Sequence, residues 1–427
     1  MNPSTSTPAS TSKFSQRSHA SGDQPISVLM ARALAQPDLI SLAAGFVDQQ
    51  TLPAEIVQEA CGRLLSQPEA GRAALQYGTT AGHLGLREAI CQNLATADGI
   101  PLEGLVSRCM VTAGSNQLLH LVAEAILDEG DVVLCAAPTY LVFMGTIAGV
   151  HAVSWSVKTD HEGMVPEAIE EALSEFEARG ELERVKAIYS VTYYDNPQGI
   201  STTPSRRAEI VDIAKRWSKH HKIYVIDDTA YRELRYEGRD EPSLLAYDET
   251  GSHVIETGTF SKSFSPGIRV GWGVIPDELF TVLEQLKGNI DFGSPNFSQA
   301  LMADILASGA HDKQVEILRA TYSEKRDAML AALDPAFAGV DGVQWVHPKG
   351  GLYVWLTVPE HISTGPQGKL FDEAINRGVL YVPGQYCFPE QGVPGSANTI
   401  RLSFGVQSPD RIQEGIAALA DAVKAVI

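Results

Sequence analysis

Between about Gln76 and Gly288 the chain alternates short runs of β-branched and apolar residues with stretches of helical periodicity. The runs are "DVVLCA" (131–136), "VKAIYSV" (185–191), "KIYVIDD" (222–228), "HVIETGTF" (253–260) and "IRVGWGVI" (268–275). Between them, "NQLLHLVAEAILDEG" (116–130) brings Leu118, Leu119, Val122, Ala123, Ile126 and Leu127 to one helical face and stops at Gly130. "PSRRAEIVDIAKRWSKHH" (204–221) opens on Pro204 and closes on basic residues, as a helix with a compensated dipole should. Apolar strands that take turns with helices need crossover connections. The pattern therefore predicts an α/β fold whose mainly parallel sheet is covered by helices on both faces.

After about Asn296 the texture changes. Two long helices (296–308 and 311–333) lead into "VQWVHPKGGLYVWLTV", which reads as a hairpin-like strand pair. A helix (366–377), the short strands "VLYV" and "TIRLSF", and a C-terminal helix (409–426) follow. This predicts a smaller α+β domain. The expected division is a disordered tail over 1–24, an N-terminal arm and part of the small domain over 25–62, a large domain over 63–300 and the small domain over 301–427.

Composition narrows the function classes. The 33 Lys and Arg against 52 Asp and Glu leave a formal charge of −19, which argues against a nucleic-acid partner, since phosphate backbones need clustered cations. Five scattered cysteines with no C-x-x-C pair suit reduced thiols in a cytoplasmic protein. The Ser/Thr-rich first residues lack the apolar core of a signal peptide. The charge-free run Val132–Val157 is interrupted by Pro138, Gly145 and Gly149, so it predicts strand, loop, short helix and strand, with no membrane span.

In such a sheet, ligands gather at the carboxyl ends of the strands, and four polar clusters fall there. "TAGSNQ" (112–117) leads into a helix whose N-terminal amides can receive an anion, although Ser and Asn also serve as ordinary caps. "YYDNPQG" (193–199) can be a simple turn. "IDDTAY" (226–231) ends a hydrophobic strand in two carboxylates, of which Asp228 is the stronger functional candidate and Asp227 equally a solvated loop residue. "GTFSKSFSPGIRVGWG" (258–273) isolates Lys262 among hydroxyls, with Thr259, Ser261 and Arg269 able to converge on one phosphate. An amine in that setting is suited to losing a proton and bonding to a carbonyl carbon. "TFSK" lacks the serine of an S-x-x-K hydrolase, and the chain contains neither a G-x-x-x-x-G-K-[ST] loop nor an H-E-x-x-H helix.

Seven motifs, in this order, carry a resemblance: "YGTTAGHLGLRE", "GSNQ", "PTY", "DNPQG", "DDTAY", "SKSFSPGIRVGWG" and "IRLSFG". Over about residues 25–427 the chain resembles the class I/II aminotransferases, pyridoxal 5'-phosphate enzymes of fold type I with a seven-stranded-type sheet. The resemblance implies Lys262 as the lysine that bonds to the cofactor aldehyde and then moves the substrate proton. It implies Asp228 beneath the pyridine nitrogen, Tyr231 and Asn196 on the phenolic oxygen, and Tyr140 stacked on the ring. Ser115, Asn116, Thr259, Ser261 and Arg269 match the phosphate cup, and Tyr77 matches a tyrosine that reaches the phosphate in a neighbouring subunit of a homodimer. Arg401 matches the clamp on the substrate α-carboxylate, and Gly45 a glycine in a mobile segment that closes over the substrate.

Two departures stand out: "NPQG" where "NPTG" is common, without the usual upstream proline, and "FVDQQTLP" (46–53) in the substrate-facing segment. The expected reaction is transfer of an amino group from an α-amino acid to an α-keto acid in two half-reactions. A lyase or decarboxylase on the same scaffold is the alternative, and a cofactor-binding regulator is disfavoured by the acidic charge. "KGNIDFGSPN" (287–296) offers no arginine for a side-chain carboxylate, which points to broad, aromatic, apolar or 2-aminoadipate-like substrates. Phe46, Tyr77 and Tyr140 are candidates to line that pocket, or are plain packing.

Overall fold

The computed structural model describes residues 13–20, 25–36, 38–43 and 45–427. Its main sheet runs, in spatial order, through Val153–Asp160, Val132–Ala137, Val185–Val191, Tyr224–Asp228, Val254–Thr259, Gly271–Val274 and Cys109–Thr112. The first five are mutually parallel, and the last two are antiparallel to their neighbours. Two short strands extend this seven-strand path: Gln391–Gly392 beside Trp155–Ser156, and Gly163–Met164 beside Thr159–Asp160. The expected α/β class is therefore the observed one. The run 132–157 resolves into strand, helix Leu141–Gly149 and strand, and among the described residues no helix is long and apolar enough to cross a membrane.

Strand parity sorts side chains between two cores. Val133, Cys135, Ala187, Tyr189 and Ile226 pack into one hydrophobic cluster, while Val132, Leu134, Ile188 and Val225 pack into the other. Successive residues of a strand point to opposite faces, so an all-apolar run is what a sheet covered twice requires. Helix Ser115–Ile126 buries Leu118, Leu119, Leu121, Val122 and Ala123 against this sheet. Helix Pro204–Trp217 begins at its proline and carries Lys215 and Arg216 in its last turn, as its sequence indicates.

A second sheet is antiparallel and follows the order Gln344–Trp345, Tyr353–Thr357, Thr399–Ser403, Val382–Pro383. The long helix Ala310–Ala336 and the C-terminal helix Pro409–Val426 pack on each other beside it. Ile40–Ser41 pairs in parallel with Val379–Leu380, which joins the N-terminal segment to this region. The strand Gln391–Gly392 crosses the other way, onto the edge of the main sheet. Of the segment 1–24, residues 13–20 are described: Gln16–Ala20 is a short helix in contact with Leu141–Gly149, and Arg17 pairs with Glu124. The other residues of that segment lie outside the described ones.

Candidate active site

A cavity of about 300 Å³ opens at the carboxyl end of the parallel strands, between the two sheets. Parity places Asp228 on the same face as Tyr189 and Ile226, toward the cavity, and sends Asp227 to the opposite face. There Asp227 accepts hydrogen bonds from Thr192 Oγ1 at 2.5 Å and from the Leu244 N–H at 3.0 Å, so it belongs to the packing behind the sheet. Asp228 accepts from Tyr189 Oη at 3.1 Å and from the Ala230 N–H at 3.2 Å. Burial pushes its carboxyl up to about 6, and these two bonds oppose the rise.

Lys262 sits in the helical turn Phe260–Ser263, directly after the Val254–Thr259 strand. Its Nζ donates to the Gly45 carbonyl at 2.8 Å. Burial lowers the ammonium's pKa; nearby Tyr353 opposes this, while Arg401 and Arg269 add to it. A depressed ammonium delivers the free amine that carbonyl chemistry uses.

At the far end of the cavity is a built anion cup. Helix Ser115–Ile126 starts from Gly114, at φ 87° and ψ 160°, with no side-chain cap, so its first amides are left for a ligand. A Cβ on Gly114 would come within 2.6 Å of Arg269 Nη2, and one on Gly271 within 2.4 Å of the Ser115 nitrogen; only glycine allows these approaches. Arg269 donates to the Ala113 carbonyl at 2.9 Å and to Ser261 Oγ at 3.4 Å, while Thr259 Oγ1 donates to Ser261 Oγ at 2.9 Å. Two hydroxyls, one guanidinium and a helix N-terminus suit a phosphate dianion.

Across the cavity, Arg401 lies on the Thr399–Ser403 strand of the second sheet and is almost wholly buried. It donates to Asn196 Oδ1 and to the Ala43 carbonyl, each at 2.8 Å, and its guanidinium stacks 4.5 Å from the Tyr353 ring centre. Its Nε is buried without a hydrogen-bond partner, which is a costly arrangement for a cation unless a ligand completes it. Tyr140 Oη donates to Asn116 Oδ1 at 3.3 Å, and burial raises this phenol to about 12. Tyr231 and Tyr353 meet hydroxyl to hydroxyl at 3.2 Å.

All but one of the residues that the resemblance assigns to the site line this cavity, with Gly45 among them and Phe46 beside it. The exception is Tyr77, which does not line it; it stands 79% exposed with its ring edge-on to Phe292. Sequence reading missed Tyr353 and Tyr189. Tyr189 shares the inward parity of its strand, a signal that points to Asp228 only once the strand order is known. Tyr353 comes from the second sheet and carries no local motif beyond "GGLY".

A parallel sheet offering a lysine, a buried acid and an anion cup at its strand ends defines a pyridoxal-phosphate-dependent enzyme of fold type I. The family model for aminotransferase class I and II matches residues 37–419. The chain is 35% identical over 387 residues to aromatic-amino-acid aminotransferase 1 of Thermococcus litoralis, covering 91% of this chain and 88% of the relative. The multiple substrate aminotransferase of Thermococcus profundus superposes with a TM-score of 0.88 at 32% identity, covering 96% and 97% of the two chains. LysN, an α-aminoadipate aminotransferase of Thermus thermophilus solved with N-(5'-phosphopyridoxyl)-L-leucine, gives 0.82 at 30%, covering 97% of each. The chain belongs to the class I and II aminotransferases and is a pyridoxal-phosphate-dependent transaminase acting on amino and keto acids.

Proposed function

We propose that the protein transaminates aromatic and other apolar α-amino acids, with acceptance of 2-aminoadipate, through Lys262, Asp228 and Arg401. The observation that carries the reading is that an amine of lowered pKa, a buried carboxyl and a buried guanidinium with an unpaired Nε line one cavity. When bound, pyridoxal phosphate supplies an aldehyde for the amine and a ring that delocalises negative charge from the substrate Cα.

Ser115, Asn116, Thr259, Ser261 and Arg269 would hold its phosphate, Asp228 its ring nitrogen, Asn196 and Tyr231 its phenolic oxygen, and Tyr140 one ring face. Tyr189 positions Asp228 by donating to it. Lys262 Nζ, a buried amine of lowered pKa, would be the group that bonds to the aldehyde and the base that carries the substrate Cα proton. Arg401 holds the α-carboxylate as a two-pronged donor, which keeps that group in place and argues against its loss as carbon dioxide. Gly45 and Phe46 line the substrate side and limit water there.

The cations lining the cavity, among the described residues, are Lys262, Arg269 and Arg401. Each is used by this reading, so the substrate side chain meets Phe46, Tyr140, Leu141, Val142 and Tyr353, and acceptance of 2-aminoadipate, whose side chain ends in a carboxylate, is supported by the α-aminoadipate relative and not by this wall. The aromatic and multiple-substrate names of the relatives agree with that wall. Tyr77, with Phe292 beside it, is exposed to a degree that favours a homodimer in which Tyr77 completes the partner's phosphate cup. Five cysteines without a disulfide support a cytoplasmic setting.

The test is a panel of amino donors against 2-oxoglutarate and pyruvate, with product amino acid, carbon dioxide and ammonia measured together. The reading expects stoichiometric product amino acid, with aromatic donors ahead of aspartate. Release of carbon dioxide or ammonia without a keto acid would establish the lyase alternative instead.

A further inference from the structure

Behind the anion cup, helix Asp277–Asp291 ends in a carboxylate where its dipole disfavours one. Lys287 Nζ, buried within the fold, donates to Asp291 Oδ1 at 3.1 Å. Gln117 Nε2 donates to Asp291 Oδ2 at 2.8 Å, and Ser294 Oγ donates to the same oxygen at 3.1 Å. Asp291 thus collects three donors at a helix end that repels its charge: Lys287 from its own helix, Ser294 from the turn that follows, and Gln117 from helix Ser115–Ile126.

A carboxylate only accepts, so it dictates which end of the Gln117 amide faces it. The NH₂ turns to Asp291, and Gln117 Oε1 is left to accept from the Ala113 N–H at 2.7 Å and, at 3.3 Å, from the Ser294 hydroxyl that Asp291 shares. The Ala113 carbonyl in turn accepts from Arg269 Nη2 at 2.9 Å. Ala113 is thereby held from both sides, one residue before Gly114 and the open helix N-terminus at Ser115. None of these three side chains, Lys287, Asp291 or Gln117, lines the cavity.

We propose that Asp291 is a positioning residue for phosphate recognition: backed by Lys287, it locks the orientation of the Gln117 amide, which sets the Ala113–Ser115 backbone to receive the phosphate. The proposal rests on the reading of that cup as the cofactor's phosphate site. It concerns no bond to the aldehyde or the ring, so its effect should follow the phosphate alone.

The experiment titrates the full-chain apoprotein with pyridoxal phosphate and, separately, with pyridoxal, by calorimetry. Wild type binding pyridoxal phosphate far more tightly than pyridoxal upholds the cup, and equal binding refutes it independently of Asp291. Asp291→Asn, which can donate and so releases the amide to flip, is expected to weaken pyridoxal phosphate about tenfold, the worth of one hydrogen bond, and to leave pyridoxal within about twofold. Gln117→Leu removes no charge, leaves the Ala113 N–H without its acceptor and is expected to do the same; it carries the test should Asp291→Asn fail to fold. Equal weakening of both ligands would show a merely structural role and overturn the proposal. So would unchanged affinity for pyridoxal phosphate in either folded variant.

Discussion

The two walls of the cavity are built in different ways. On one, Asp228, Thr259 and Lys262 follow directly from the ends of neighbouring strands in one sheet, tied by a continuous ladder of backbone bonds. On the other, Gly45, Tyr353 and Arg401 come from an N-terminal segment and a separate antiparallel sheet. Arg401 reaches Asn196 across 205 positions of sequence and Ala43 across 358. Residues on one ladder keep their mutual geometry through shared hydrogen bonds, whereas the second sheet and the Gly45 segment meet that ladder through side-chain contacts that can be rearranged at lower cost. The chemistry of the proposed cofactor is thus assigned to the rigid wall, and the choice of substrate to the adaptable one.

Substitutions on the rigid wall should break catalysis itself. Lys262→Ala is expected to lower turnover by roughly 10³-fold or more, in keeping with loss of a positioned proton carrier and of the covalent link. Borohydride reduction followed by peptide mapping checks the link: label on the Lys262 peptide is expected in wild type and none in the variant, and label persisting on another lysine would refute the assignment. Asp228→Asn should reduce turnover about 10²-fold, by removing the charge proposed to sit under the ring nitrogen.

Asp228 also gives the rigid wall a pH signature. Its folded-state pKa of about 6 lies above the ordinary carboxyl value, so the folded chain keeps the proton longer than the unfolded one. The group therefore adds stability at low pH that is lost as pH rises from about 4 to about 6, at most about 3 kcal/mol for the apoprotein. Urea unfolding across that window should show a fall with pH that flattens in Asp228→Asn.

The adaptable wall should respond in KM before kcat. Arg401→Gln is expected to raise KM for the amino acid about 10²-fold, the loss of a charge-assisted pair, while pyridoxal phosphate still binds in a calorimetric titration. A loss of cofactor binding equal to the loss of substrate binding would erase the distinction between the walls. Gly45→Ala is the smallest expected effect. Its Cβ would come within 2.7 Å of Tyr353 Oη, and the segment must shift to relieve this. Steady-state kinetics should show KM raised about fivefold with kcat nearly unchanged, as for a tolerated overpacking.

Much of this was legible in the chain alone, and the reason is local. A strand that ends in "DDTAY" or "GTFSK" places its polar residues at a sheet edge wherever the sheet lies, and the alternation of strands with helices makes that sheet parallel. The α/β class, Lys262, Asp228 and the Ser115–Asn116 cup could therefore be read as a string. Tertiary structure supplied what the motif order left unexplained, why Asp228 and not Asp227 faces the cavity, because parity has no inward side until the second sheet covers one face. It alone brought Tyr353 and Tyr189 to the site, and it alone tied Asp291 to Ala113 through Gln117. Those contacts join segments far apart in sequence, where no spacing rule connects one residue to another and only packing can.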